Sequence, residues 1–264
     1  IHNSNRNGKG TGVKVELGGK FHLYDGTITE NTAEYGGGVL VESGSTFNMY
    51  GGSITKNMAM NNTKGYGGGG VCVKGGIFNM HGGTIAANQA DSYTAGKGYG
   101  GGVSVVSGGR FTMNGGTIGG TSNDRDYNQA QGNGGGVYVY SGTFTMNYKA
   151  SVSDNTATNT DSENTTYGGG VYINIGRNNT FTMNDKASVT GNQATNGGGV
   201  YVSSSSSFVM SNEAKIEGCQ AISNSSKSSN GGGVLLANGT SLTLSGNAVI
   251  QNCRAVSSDS SGEA

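Results

Sequence analysis

Seven times along this chain three glycines are followed by valine. The runs end at Val39, Val71, Val103, Val137, Val171, Val200 and Val234, and a degenerate copy ends at Gly12-Val13. A glycine-rich loop that cradles phosphate occurs once, between a strand and a helix. One that recurs is architectural. Successive valines are 26, 32, 32, 34, 34, 29 and 34 residues apart, a period that belongs to solenoids, propellers and arrays.

Each copy carries short apolar segments with a spacing of two, the period of a strand. The first is Val-x-Val, as in Val137-Tyr138-Val139. The second is Phe-x-Met, as in Phe111/Met113 and Phe144/Met146, softened to Phe21/Leu23 and Leu242/Leu244 in the end copies. A single Ile or Val follows, at Ile28, Ile54, Ile85, Ile118, Val152, Val189, Ile216 and Ile250. Segments this short bury a face only by stacking copy on copy at the ~4.8 Å strand spacing. The expectation is an all-β fold: a right-handed parallel β-helix (solenoid) of about eight three-stranded coils over residues 12–255. Residues 1–11 form an N-terminal lead, and residues 256–264 a Ser-rich linker. A propeller blade wants four strands and a longer repeat, which disfavours it.

Two repeat positions have a structural assignment. The glycines suit a corner needing positive φ or close backbone approach. Asn31, Asn57, Asn88, Asn128, Asn155 and Asn192 recur just after the third segment, suiting an internal column of amides bonded from coil to coil. Cys219 and Cys253 take that position in the last two copies, in adjacent coils, close enough for a disulfide to span, although two buried thiols fill the same space. Cys72 falls on the outward side of Val-x-Val.

Binding is sought where the copies differ. Length varies mostly at the corner between the Ala that follows the ladder Asn and the next glycine run. The insertions there, at 60–66, 91–99, 158–167 and 222–230, line one side of the rod. On the outward side of Val-x-Val, Tyr138, Tyr172 and Tyr201 fall in consecutive copies with Tyr140 beside them, an expected exposed row suited to sugar rings or a protein partner. Thr143/Thr145 and Thr180/Thr182 flank the phenylalanines outward, but Ser207/Val209, Lys20/His22 and Ile77/Asn79 break the regular array an ice-binding face needs.

Lys plus Arg equals Asp plus Glu at 16 each, so nothing favours capture of nucleic acid or anionic lipid. No apolar run reaches the roughly 20 residues that span a bilayer. No catalytic, metal or cofactor set is found: His2, His22 and His81 have no ligand or base–nucleophile spacing. Glu16, Glu42 and Lys74 read as a charge column. An enzymatic alternative would draw its acids from loops, at Asp124, Asp126, Asp161 and Glu163.

The Phe-x-x-Asn elements Phe111–Asn114, Phe144–Asn147 and Phe181–Asn184, paired with a Gly-Gly-x-Ile/Val element, resemble the tetrapeptide pair of polymorphic outer-membrane autotransporter passengers. More broadly, the repeat resembles right-handed parallel β-helices of large bacterial surface proteins, including those of Gram-positive gut bacteria. The likeness runs from Gly12 to Ala255. It departs from the tetrapeptide pattern at Tyr50, His81 and Ser211, and the glycine element here is Gly-Gly-Gly-Val. The resemblance implies export, display at a bacterial surface or secretion, and adhesion to a host or environmental glycan or surface protein without catalysis. The open strand edges of the end coils and the Ser-rich tail lead us to expect further domains at both ends. A carbohydrate-active enzyme module and an inert stalk are the alternatives.

Overall fold

The computed structural model describes residues 11–60, 65–92, 97–120, 126–159, 165–174, 176, 179–203, 205–223 and 228–257. The lead before Thr11, the tail beyond Ser257, Asp124, Asp161 and Glu163 lie outside them. The described residues are all strand, turn and connection, wound into a parallel β-solenoid. Four parallel sheets of eight strands run its length, each strand paired with its equivalents in neighbouring copies. Sheet one holds Val-x-Val (Val13–Val15, Val39–Glu42, onward to Val234–Leu236) and sheet two Phe-x-Met (Lys20–Leu23, Thr46–Met49, onward to Ser241–Leu244). Sheet three begins with Thr27–Thr29. About six turns are fully enclosed: Phe47, Phe78, Phe111, Phe144, Phe181 and Phe208 have no solvent exposure, whereas the first and last copies form open end coils.

The coil has a fourth side that the three-stranded expectation lacked. Two-residue strands after the ladder Asn, such as Thr32–Ala33, Met58–Ala59 and Gln89–Ala90, pair into sheet four. Two residues are too few to display a period, so the segment reads as a corner until its partners are in place.

Register is strict, and it puts like on like. Phe21 pairs with Phe47, Phe47 with Phe78, and Phe78 with Phe111. The rings stack down the core with centroids 4.6–5.0 Å apart. The ladder asparagines are buried and joined as expected. From Asn31 through Asn155 each Nδ2 donates to the Oδ1 of the next coil, as from Asn57 to Asn88 (3.0 Å) and from Asn88 to Asn128 (2.9 Å). The same Oδ1 also accepts the backbone N–H of the preceding Asn, as Asn88 Oδ1 does from Asn57 (3.0 Å). At the C-terminal end Asn192 Nδ2 meets the Cys219 sulfur at 3.9 Å, and Cys219 and Cys253 are free thiols.

The glycine runs divide the labour at their corner. The first glycine takes positive φ, as at Gly36 (62°), Gly100 (66°) and Gly134 (68°). The second packs against backbone: a Cβ on Gly37 would lie 2.5 Å from the carbonyl oxygens of Gly69 and Met58. The corner before the ladder also uses positive φ, and there the residue is often not glycine, as at Glu30 (58°), Lys56 (56°), Ala87 (54°) and Asp154 (55°). A left-handed conformation costs a residue with a Cβ roughly 1 kcal/mol. Ala87→Gly is therefore expected to raise stability by no more than about 0.5 kcal/mol in chemical denaturation, since the relieved strain is largely offset by the entropy that glycine adds to the unfolded chain.

Candidate functional site

The length-varying corner joins sheet four to sheet one. In several copies it places a tyrosine before the glycines: Tyr35, Tyr66, Tyr99 and Tyr167. These rings fold onto the outward side of sheet one and make a second apolar core with Leu40, Cys72, Val106, Tyr138 and Tyr172. The expected exposed tyrosine row is thus largely covered. Tyr138 is 3% and Tyr172 8% exposed, Tyr201 is half-buried, and only Tyr140, at 43%, stands in solvent. Cys72 is buried too, not exposed. Tyr99 stacks on Tyr138 (4.8 Å) and Tyr167 lies against Tyr201 (4.6 Å). The clue in the sequence was the tyrosine preceding Gly-Gly-Gly. A Tyr-to-Ser change at Tyr138 and Tyr172 would strip packing, so it is no clean test of binding.

Buried hydroxyls need partners. Asn174 supplies both: its Nδ2 donates to the Tyr138 hydroxyl (2.7 Å), and its Oδ1 accepts from that of Tyr172 (2.8 Å). Burial pushes both phenol pKa values well above their usual range. A phenol that holds its proton more tightly when folded stabilises the fold fully below the unfolded value near pH 10, and that contribution is lost as pH climbs from there through the folded value. Tyr138→Phe should cost about 1 kcal/mol at neutral pH, from the lost hydrogen bond. It should also flatten the fall in stability above pH 10, as read from Tm across pH 8–11.

The acids are mostly paired. Lys74 Nζ lies 3.4 Å from Glu42 and 5.6 Å from the centres of the Tyr35 and Tyr66 rings. Lys14 pairs with Glu16. Asp126, the one described member of the loop acids, is half-buried. Among the described residues, no three His, Cys, Asp or Glu side chains converge as metal ligands, and no helix is long and apolar enough to cross a membrane.

The solvent-facing surface with the most regular chemistry is sheet two. Its first and third strand residues alternate outward with the buried Phe and Met. The residue just after each strand adds a further column. That column begins with Tyr24, Tyr50 and His81 and continues as Asn114, Asn147, Asn184 and Ser211. Tyr24 and Tyr50 stack at 4.8 Å, Tyr50 and His81 at 5.0 Å, all nearly parallel, and His22 lies parallel to Tyr24 and Tyr50 at 6.2 Å. Tyr24 is 68% and Tyr50 41% exposed. The asparagines bond along the column, from Asn147 Nδ2 to Asn114 Oδ1 (2.9 Å) and from Asn184 Nδ2 to Asn147 Oδ1 (2.8 Å). The sequence reading did not join these residues: Tyr50 and His81 stood only as departures from Phe-x-x-Asn or as a lone histidine, and Tyr24 not at all. Their shared place one residue after the Met or Leu was the available signal. On the next corner a shallow groove of about 620 Å³ is lined by Tyr148, Lys149, Asp185, Lys186 and their neighbours.

Fold and surface together define a repeat protein of the parallel β-solenoid class. Comparison with protein-family models, curated proteins and solved structures finds no match to this chain.

Proposed function

We propose that this chain is a non-catalytic, adhesin-like display module of a bacterial surface or secreted protein, offering the outward face of sheet two to a glycan or surface protein. The observation that carries this reading is the straight exposed columns on that face, in which hydroxyls, amides and aromatic rings repeat at the strand spacing on a rigid support. A repeating ligand meets the same groups row after row, so weak contacts add along its length. Tyr140 borders the neighbouring sheet as a secondary contact, while Tyr138, Tyr172 and Tyr201 serve mainly to hold the long corners down. The resemblance to surface β-helices supports export and display.

The test incubates purified protein with mucins, host matrix proteins and plant polysaccharides, recording retained protein and released sugar ends together. Retention without release, lost in Tyr24→Ser/Tyr50→Ser at unchanged Tm, supports the reading. Released sugar ends would replace it with an enzyme, and the absence of any retention would leave an inert stalk.

A further inference from the structure

We propose, on the strength of the glycan-binding reading above, that the first four rows of sheet two are a site for a carboxylated polysaccharide. The chain as a whole is neutral, yet this face is not. No outward position of sheet two carries Asp or Glu, while Lys20 in the first row and Arg110 in the fourth are both exposed in one column. They stand three strand spacings apart, about 14 Å. Exposed His22 and His81 lie in the columns alongside.

Two of the three acids at the bordering corners are ion-paired, and the third, Asp25, keeps its charge at the edge of the first row, so Lys20 and Arg110 leave these rows with one net positive charge. Glu16 pairs with Lys14 and Glu42 with Lys74, while Asp25 Oδ1 accepts the Gly26 N–H at 2.7 Å. The net field over these rows is positive and strongest toward Arg110, away from Asp25, and it falls off over about a Debye length of 8–10 Å. Beyond Arg110 the face turns neutral: Thr143, Thr145, Thr180 and Thr182 carry no charge, and the neighbouring asparagine amides bond to one another.

The ring geometry selects among polyanions. Within the stack both faces of Tyr50 and the inner faces of Tyr24 and His81 are covered, so along the rows edges meet the solvent and an open face is left only at each end. Single-stranded nucleic acid needs open faces on which bases stack, and duplex binding needs many phosphate contacts rather than two permanent cations. Phenol and imidazole edges instead supply hydrogen bonds to sugar hydroxyls and carboxylates, with Lys20 and Arg110 as ionic anchors. Row repetition suits a linear chain of like sugars lying along the rod.

Affinity electrophoresis of the protein in gels containing polygalacturonate tests this. Parallel gels contain fully methyl-esterified polygalacturonate, dextran sulfate or double-stranded DNA. The free acid is expected to retard the protein and the ester, which keeps the backbone but removes the charge, is not. Lys20→Gln/Arg110→Gln should weaken the retardation about tenfold at unchanged Tm, since both side chains are exposed and each ionic contact contributes up to about 1 kcal/mol. Lys97→Gln, on a remote corner, should leave it unaltered. Equal retardation by acid and ester would overturn the carboxylate site while leaving a glycan-binding module standing. Equal or stronger binding to dextran sulfate or DNA would overturn it in favour of a general polyanion surface. Loss of retardation in Lys97→Gln to the same degree as in the double variant would also overturn it. If no glycan of this set or of the broader panel is retained, the site and the module fall together.

Discussion

Asn88→Ala is expected to lower the unfolding free energy by roughly 3–5 kcal/mol, a large share of the stability of an ordinary domain. The side chain is buried in the middle of the ladder and serves several backbone groups at once. Its Nδ2 lies within hydrogen-bonding distance of the carbonyls of Ile54 (2.8 Å) and Ala86 (2.9 Å) as well as Asn128 Oδ1. Its Oδ1 accepts the backbone N–H and the amide of Asn57. Alanine leaves these partners stranded where water does not reach, and each buried unmade bond costs about 1–3 kcal/mol. Asn31→Ala provides the internal scale. Asn31, also buried, stands in the first coil at the open end of the rod, where its amide reaches Asn57 Oδ1 and the Thr29 carbonyl. Its removal should cost about 1 kcal/mol. Urea unfolding of both variants reads the gradient. Equal losses at the two positions would mean that the amide column is not what holds adjacent coils together.

Phe111→Ala should be comparably severe, at about 3–5 kcal/mol, for a different reason. The ring is wholly buried and lies between Phe78 at 4.6 Å and Phe144 at 4.9 Å, both within 9° of parallel. Truncation removes two offset-stacked contacts and leaves a cavity whose walls are held apart by in-register backbone pairing, so collapse is limited. Phe111→Leu keeps most of the volume and should cost about 1–2 kcal/mol. Phe21, partly exposed and stacked on Phe47 alone, should cost less than half as much as Phe111 when cut to alanine. Thermal unfolding of the three variants checks the ranking, and parity between Phe21→Ala and Phe111→Ala would refute the stacked-core account.

Both effects follow from features legible in the chain before any coordinates. Strict spacing of Val-x-Val, Phe-x-Met and the single Ile or Val specifies which side chains turn inward. Repetition of the whole unit specifies which residue each one stacks upon, because a slip of one residue would turn every apolar group to solvent. The amide column and the glycine corner follow in the same way: both are positions at which every coil faces the same local demand, a bond to the next coil or a backbone conformation closed to other residues.

What the repeat could not determine is the fate of residues pointing outward. Tyr138 and Tyr172 look exposed from their own strands, and Cys72 likewise. They are buried because tyrosines from the corners before the glycine runs fold across them; those corners differ in length from copy to copy, so the recurring tyrosine was the one hint of the contact. The fourth sheet escaped notice because two residues cannot show a period. The Tyr24–Tyr50–His81 stack became a surface because the corners beside it are short glycine turns, and among the described residues none folds over the rings. Inward order is thus a property of the repeat, readable from any one copy and its neighbours. Outward exposure is a property of the assembled rod, decided by what the irregular corners reach.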